Sequence, residues 1–149
     1  MKQALQELLS LAPAEKTRRG VAFTPPEIAG QVGLWPTTYE RFASFLPDLR
    51  PFLEEFLAHP RKAVVLCGAG TSEYVGTCVE GLLRRQLGAP VNTVSTTALV
   101  VNPQDVFVPG QATLLVSFAR SGSSPESLGA VRIAEARSEP VYHLILTAN

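Results

Sequence analysis

Two stretches of this 149-residue sequence carry hydroxyls and glycines at a density that a plain connection does not need. The first is Gly68-Ala69-Gly70-Thr71-Ser72, and the second is Ala119-Arg120-Ser121-Gly122-Ser123-Ser124-Pro125-Glu126-Ser127. Each follows a short apolar run and opens a segment of helical periodicity. A strand-to-helix turn presents the unpaired N–H groups of the first helical turn, and those groups attract an anion. Glycine lets the backbone approach a ligand closely. Thr71, Ser72, Ser121, Ser123 and Ser124 add hydroxyl donors, and Arg120 is the one cation of its turn, able to pair with a phosphate. The chemistry predicted is the holding of a phosphate group. Some of these residues also have a structural use. Pro125 suits a first helical position, Ser123 or Ser124 suits the cap before it, and Ser72 has the same alternative as an N-cap.

Groups able to move protons are sparser. Glu73, directly after the first turn, is the candidate catalytic base, although a first-turn carboxylate also complements the helix dipole. Glu126 reads as a capping partner of its helix. His143 lies inside an apolar run and reads as a core or edge histidine with its hydrogen bonds made, and His59, before Pro60, reads as a loop residue. Neither histidine has a metal-ligand partner at short spacing, so no metal site is expected. No cofactor motif is found either. A dinucleotide fingerprint wants a glycine where Glu73 stands and an acidic residue where Ser95, Thr96 and Thr97 occur. The Gly-Lys-Ser/Thr of a Walker loop and the G-x-S-x-G elbow are both missing. Cys67 and Cys78 read as small core hydrophobes, and Arg84-Arg85 as a solvated helix face. Phe42, Phe45, Phe52 and Phe56 read as helix packing rather than a platform for a sugar ring.

The two turns require elements that hold them side by side. After residue 60 the sequence alternates: Ala63–Cys67, Val91–Ser95, Thr113–Phe118 and Val141–Thr147 are short apolar runs, as strands buried on both faces would be. Between them lie a helix with Val75, Cys78, Val79, Leu82 and Leu83 on one face, ended by Gly88, and another through Leu128, Val131 and Ala134. Strand–helix–strand alternation predicts parallel strands and right-handed crossovers, an α/β layer fold. If the first and third strands are near neighbours, the two turns converge. Residues 1–60 read as a helical lead-in, with a short amphipathic helix over residues 3–11 and a capping box at Thr24-Pro25-Pro26-Glu27. Pro36 reads as a stop, with a new start at Thr37 or Thr38. The chain ends at Asn149 directly after a strand, which reads as a layer cut before its last edge is covered.

Composition narrows the function classes. Lys+Arg and Asp+Glu are 13 each, so the balance disfavours a nucleic-acid surface but not a small anion held by N–H groups and hydroxyls. A 46% apolar content with 17% charged residues excludes a disordered chain. No apolar run approaches the ~20 residues of a membrane span, and Gln6 and Glu7 interrupt any signal-like stretch before Ala12-Pro13-Ala14. Two widely spaced cysteines predict a reducing, cytoplasmic setting.

The paired turns resemble those of the sugar isomerase (SIS) domain, which binds phosphosugars. Gly68–Ser72 is similar to its G-x-G-[TS]-S loop, and Arg120–Ser124 to its S-x-S-G-x-[TS] loop, with Ala119 standing where the first Ser is usual. The longer string from Ser117 to Ser127, and Glu27–Gln31 with Trp35, are similar to the tagatose-6-phosphate ketose/aldose isomerase branch, also called galactosamine-6-phosphate deaminase/isomerase. The resemblance covers about residues 24–149. It implies an SIS-type doubly wound parallel sheet in residues 61–149, here the first of two such domains. Gly70, Thr71, Ser72, Arg120, Ser121, Gly122, Ser123 and Ser124 would hold a hexose or hexosamine 6-phosphate in a homodimer or higher homo-oligomer. The proton-transfer groups of such enzymes lie in the second domain or tail, so the expectation is binding without turnover. A sugar-phosphate-sensing module of a regulator is the alternative, and a structural domain that dimerises through helices a third.

Overall fold

The computed structural model describes residues 2–137 and 139–148. Two compact units divide the chain, Met1–Arg50 and Pro51–Asn149. The first unit holds helices α1 (Lys2–Ser10) and α2 (Pro13–Arg18) and most of α3 (Thr24–Leu57). Leu5, Leu8 and Leu9 of α1 are its half-buried positions, as an amphipathic helix requires. In α2, Glu15 binds Arg18 at 2.6 and 2.7 Å and Arg19 at 2.6 Å, and these guanidinium groups lower its pKa to about 2.

Helix α3 corrects the reading of Pro36 as a stop. It is one helix through Pro36, Pro47 and Pro51, and it starts at Thr24 itself, so Thr24 is not its cap. A proline's fixed φ is helical; what it removes is one N–H bond, while its ring crowds the preceding turn. Each interior proline costs about 3 kcal/mol and each glycine, here Gly30 and Gly33, about 1 kcal/mol relative to alanine. This helix therefore depends on packing rather than on propensity. Phe52 and Phe56 do pack into a core, but Phe42 and Phe45, read as packed, are exposed.

The second unit contains a four-stranded sheet, β1 (Lys62–Gly68), β2 (Val91–Ser95), β3 (Ala112–Ala119) and β4 (Val141–Thr147). All pairings are parallel and the order is β2-β1-β3-β4. Helices α4 (Thr71–Leu87), α5 (Thr96–Val101) and α6 (Pro125–Glu135) connect the strands, giving the SIS-like doubly wound α/β arrangement. Buried side chains alternate between two clusters, one on each face of the sheet. Val64, Leu66, Leu114 and Val116 meet the end of α3 and α4 on one face, while Val65, Cys67 and Leu115 meet α5 and α6 on the other. Burying a side chain such as Leu115 is worth about 2 kcal/mol.

Several local expectations change. On α4 it is Gly76, Val79, Leu83 and Leu87 that face inward; Val75, Cys78 and Leu82 are exposed, so Cys78 is not a core residue. The cause is the close seating of α4, where Gly76 passes within reach of Leu66 and Thr93. Arg84 is more than a solvated cation. It donates to the Val91 carbonyl at 2.6 Å, while Glu80 accepts the Thr93 N–H at 3.0 Å. Two α4 side chains thus occupy backbone groups on the open edge of β2. Helix α5 was not anticipated: Ser95 caps it, accepting from the Ala98 N–H at 3.2 Å. His143 does not have all its bonds made, because Nδ1 is buried without a partner among the described residues. His59 joins Tyr142 at 2.8 Å, and the Tyr142 hydroxyl donates to Glu55 at 2.9 Å.

Candidate functional site

The two hydroxyl-rich turns follow β1 and β3, which are adjacent strands. The strand order changes direction there, since β2 lies on one side of β1 and β3 on the other. Open α/β sheets bind ligands outside the carboxyl ends of their strands at such a switch point. A cavity of about 180 Å³ lies at this place, and both turns line it. Ala69 and Ser72 come from the first turn, and Ala119, Arg120, Ser121, Gly122 and Ser124 from the second.

Sequence dictates the shape of the first turn. A Cβ on Gly68 would stand 2.6 Å from the Ser72 carbonyl carbon and 2.7 Å from the Glu73 nitrogen, so only glycine lets α4 begin this close to β1. Gly70 has φ 56° and ψ −123°, a conformation that L side chains rarely adopt, and it serves as the N-cap of α4 without any side-chain bond. Ser72 is therefore not the cap. It sits in the first turn of α4, and its hydroxyl carries no hydrogen bond among the described residues.

In the second turn Ser124 is the cap. Its Oγ accepts from the Ser127 N–H at 3.3 Å and donates to the Ser127 hydroxyl at 2.9 Å, and Pro125 takes the first helical position. Ser121 and Ser123 hydrogen bond to each other at 2.8 Å. Gly122, at φ 72°, makes the bend between them, and the Ala148 N–H donates to the Arg120 carbonyl at 3.1 Å, tying the turn to the end of β4. Arg120 is exposed at the cavity rim.

The residues named from sequence divide accordingly. Ser72, Arg120, Ser121, Gly122 and Ser124 share the cavity, and Ser123 reaches it through Ser121. Gly70 and Thr71 shape the turn and do not line the cavity. Glu73 does not line it either, whereas Glu126 and Ser127 do. Ser127 was legible in the same string of serines; Phe118, also in the lining, had no signal beyond its strand. The Glu126 carboxyl is held below the usual carboxylate range by its own backbone N–H and by the Ser124 hydroxyl. A carboxylate so placed already engages donors that an incoming anion would use. The Cys67 thiol, at the end of β1, is pushed up by burial, a shift that Thr96 opposes and Glu73 reinforces. No cluster of three His, Cys, Asp or Glu side chains among the described residues is placed to hold a metal ion. No helix among them is long and apolar enough to cross a membrane.

No protein-family model matches the chain. Individual proteins do. A Streptomyces coelicolor protein provisionally named D-galactosamine-6-phosphate deaminase AgaS is 41% identical over 126 residues, covering 85% of this chain and 33% of that protein. The D-galactosamine-6-phosphate deaminase AgaS of Shewanella sp. (strain ANA-3) is 34% identical over 144 residues, covering 95% of this chain and 37% of the relative. A crystal structure from Clostridium novyi NT, provisionally called a tagatose-6-phosphate ketose/aldose isomerase, superposes with a TM-score of 0.88 at 36% identity over 95% of this chain and 36% of the other. The chain spans about a third of the length of the relatives it matches. Over most of its own length it is a homologue of the proteins named D-galactosamine-6-phosphate deaminase AgaS and tagatose-6-phosphate ketose/aldose isomerase.

Proposed function

We propose that this chain is the phosphosugar-binding part of a sugar-phosphate aldose–ketose isomerase or deaminase of the galactosamine-6-phosphate or tagatose-6-phosphate type. The observation that carries the reading is the cavity at the ends of β1 and β3, where Ser72, Arg120 and Ser121 meet. Hydroxyls, helix-terminal N–H groups and one guanidinium are the donor set that a phosphate ester requires. The names of the relatives supply the substrate class: a hexose or hexosamine 6-phosphate.

Isomerisation moves a proton between C1 and C2 of the open-chain sugar and needs a base that is ionised but not strongly stabilised. Glu126, the carboxylate lining this cavity, is held below the usual carboxylate range and caps its own helix, and Glu73 lies outside the lining. In this reading the chain binds the phosphate end, and the proton-transfer groups come from another part of the whole protein. The unpaired thiols of Cys67 and Cys78 support a reducing, cytoplasmic setting. Thermal-shift titration with galactosamine 6-phosphate and tagatose 6-phosphate tests the reading. Both esters should stabilise the chain, the unphosphorylated sugars should not, and neither ester should be turned over. Turnover by these 149 residues would overturn the division of labour, and equal stabilisation by unphosphorylated sugars would overturn the phosphate site.

A further inference from the structure

Among the described residues, the charged side chains lining the cavity at the ends of β1 and β3 are Arg120 and Glu126, and their charges cancel. The N-termini of α4 and α6, which bring Ser72 and Ser124 to the cavity, add about half a positive charge each. The surroundings therefore balance roughly one negative charge. A phosphate monoester carries nearly two at neutral pH and one below its second pKa of about 6.

Hydrogen-bonding capacity draws the same line. Ser72, Ser121, Arg120 and the helix-terminal N–H groups can donate to a ligand, whereas an ionised carboxylate can only accept. Glu126 is the acceptor-only side chain among the described lining residues. Its carboxyl is held below the usual carboxylate range, so it is ionised at pH 5 as at pH 8. An oxyanion without a proton meets Glu126 lone pair to lone pair, at the cost of like-charge repulsion. A phosphate monoanion carries one P–OH, and an O–H donated to a carboxylate makes one of the shorter and stronger hydrogen bonds. Glu73 at the start of α4 and His143 on β4 lie outside the lining, and no histidine is among the described residues that form it. Between pH 5 and pH 8 the group that titrates in the cavity is then the bound phosphate itself.

We infer that Glu126 is a specificity residue that accepts a hydrogen bond from the protonated oxygen of a phosphate monoanion, so that the cavity selects this form over the dianion and over a sulfate ester. This role rests on the reading of the cavity as a phosphate site. Galactose 6-phosphate and galactose 6-sulfate test it, because at pH 5 each carries one negative charge and they differ by a single P–OH. Isothermal titration of the 149-residue chain at pH 5 should give an affinity roughly 10-fold higher for the phosphate ester than for the sulfate ester. Between pH 5 and pH 8 the phosphate affinity should fall by roughly the same factor while the sulfate affinity stays constant. Glu126→Gln should flatten this profile, with its largest gain at pH 8, where the dianion loses a like-charged neighbour. Phosphate binding that is equal at pH 5 and pH 8, or no tighter than sulfate binding at pH 5, overturns the role of Glu126 and leaves a phosphate site in place. Binding of neither ester overturns the phosphate reading and this role with it. The comparison of the two esters uses the unaltered chain and so decides the outcome whether or not Glu126→Gln folds.

Discussion

Ser72 and Ser121 differ in what they do without a ligand. The Ser72 hydroxyl carries no hydrogen bond among the described residues, whereas the Ser121 hydroxyl is bonded to that of Ser123, so a phosphate that recruits Ser121 inherits a pair already oriented. A hydrogen bond to a charged group is worth about 1.5–3 kcal/mol. Ser72→Ala and Ser121→Ala should therefore each weaken phosphate-ester binding roughly 10-fold or more, with the melting temperature unchanged for Ser72→Ala. Glu126 makes the opposite prediction. Its carboxylate competes for the N-terminal donors of α6, so Glu126→Gln should tighten binding of inorganic phosphate by roughly 2- to 5-fold at low salt. Isothermal titration checks both, and weaker binding by Glu126→Gln would mean that the carboxylate supports the ligand rather than opposing it. Much of this was legible, because four serines within seven residues offer more hydroxyls than one helix cap can use. Which serine caps was not legible, since Ser123 and Ser124 are equally suited by type and only backbone geometry separates them.

The elements that carry these residues meet at close tolerances. Gly68→Ala would drive a methyl against backbone atoms of α4 that cannot turn aside, and it should cost about 1–3 kcal/mol in chemical denaturation. A smaller loss would mean that α4 can slide along the sheet. Glu80 gives α4 a second hold on the sheet, and a pH dependence with it. Thr93, whose N–H donates to it at 3.0 Å, and then Arg84 hold its carboxyl below the usual carboxylate range. The stability it contributes is thus fully present above that range and is lost as pH falls through the lowered value. Glu80→Gln should flatten that acid-side slope in melts at graded pH. Strands were the most legible elements, because continuous apolar runs such as Ala63–Cys67 between Gly and Pro residues fit little else. Helices were less so. Pro36 reads locally as a break, yet α3 runs on through it. Thr96–Val101 is mostly β-branched and is helical because Ser95 caps it and Leu99 is buried against the sheet. Val75, Cys78 and Leu82 shared a helical spacing with the inward face, and only the close seating at Gly76 decides which stripe is turned to the sheet.

At the scale of the molecule, one parallel sheet order brings together turns some 50 residues apart in sequence, through the pairing of β1 with β3. The balanced charge fits the proposed site, which would meet its anion with hydroxyls, backbone N–H groups and a single arginine instead of a basic surface. The central claim is that the two turns hold one phosphate jointly. The most direct measurement is an amide NMR titration of the labelled chain with galactosamine 6-phosphate, repeated on Ser121→Ala. The account predicts concerted shifts at Gly70–Glu73 and at Arg120–Ser127 with a single dissociation constant, and both sets weakening together in the variant. Shifts confined to one turn, or two sets with different dissociation constants, would contradict it.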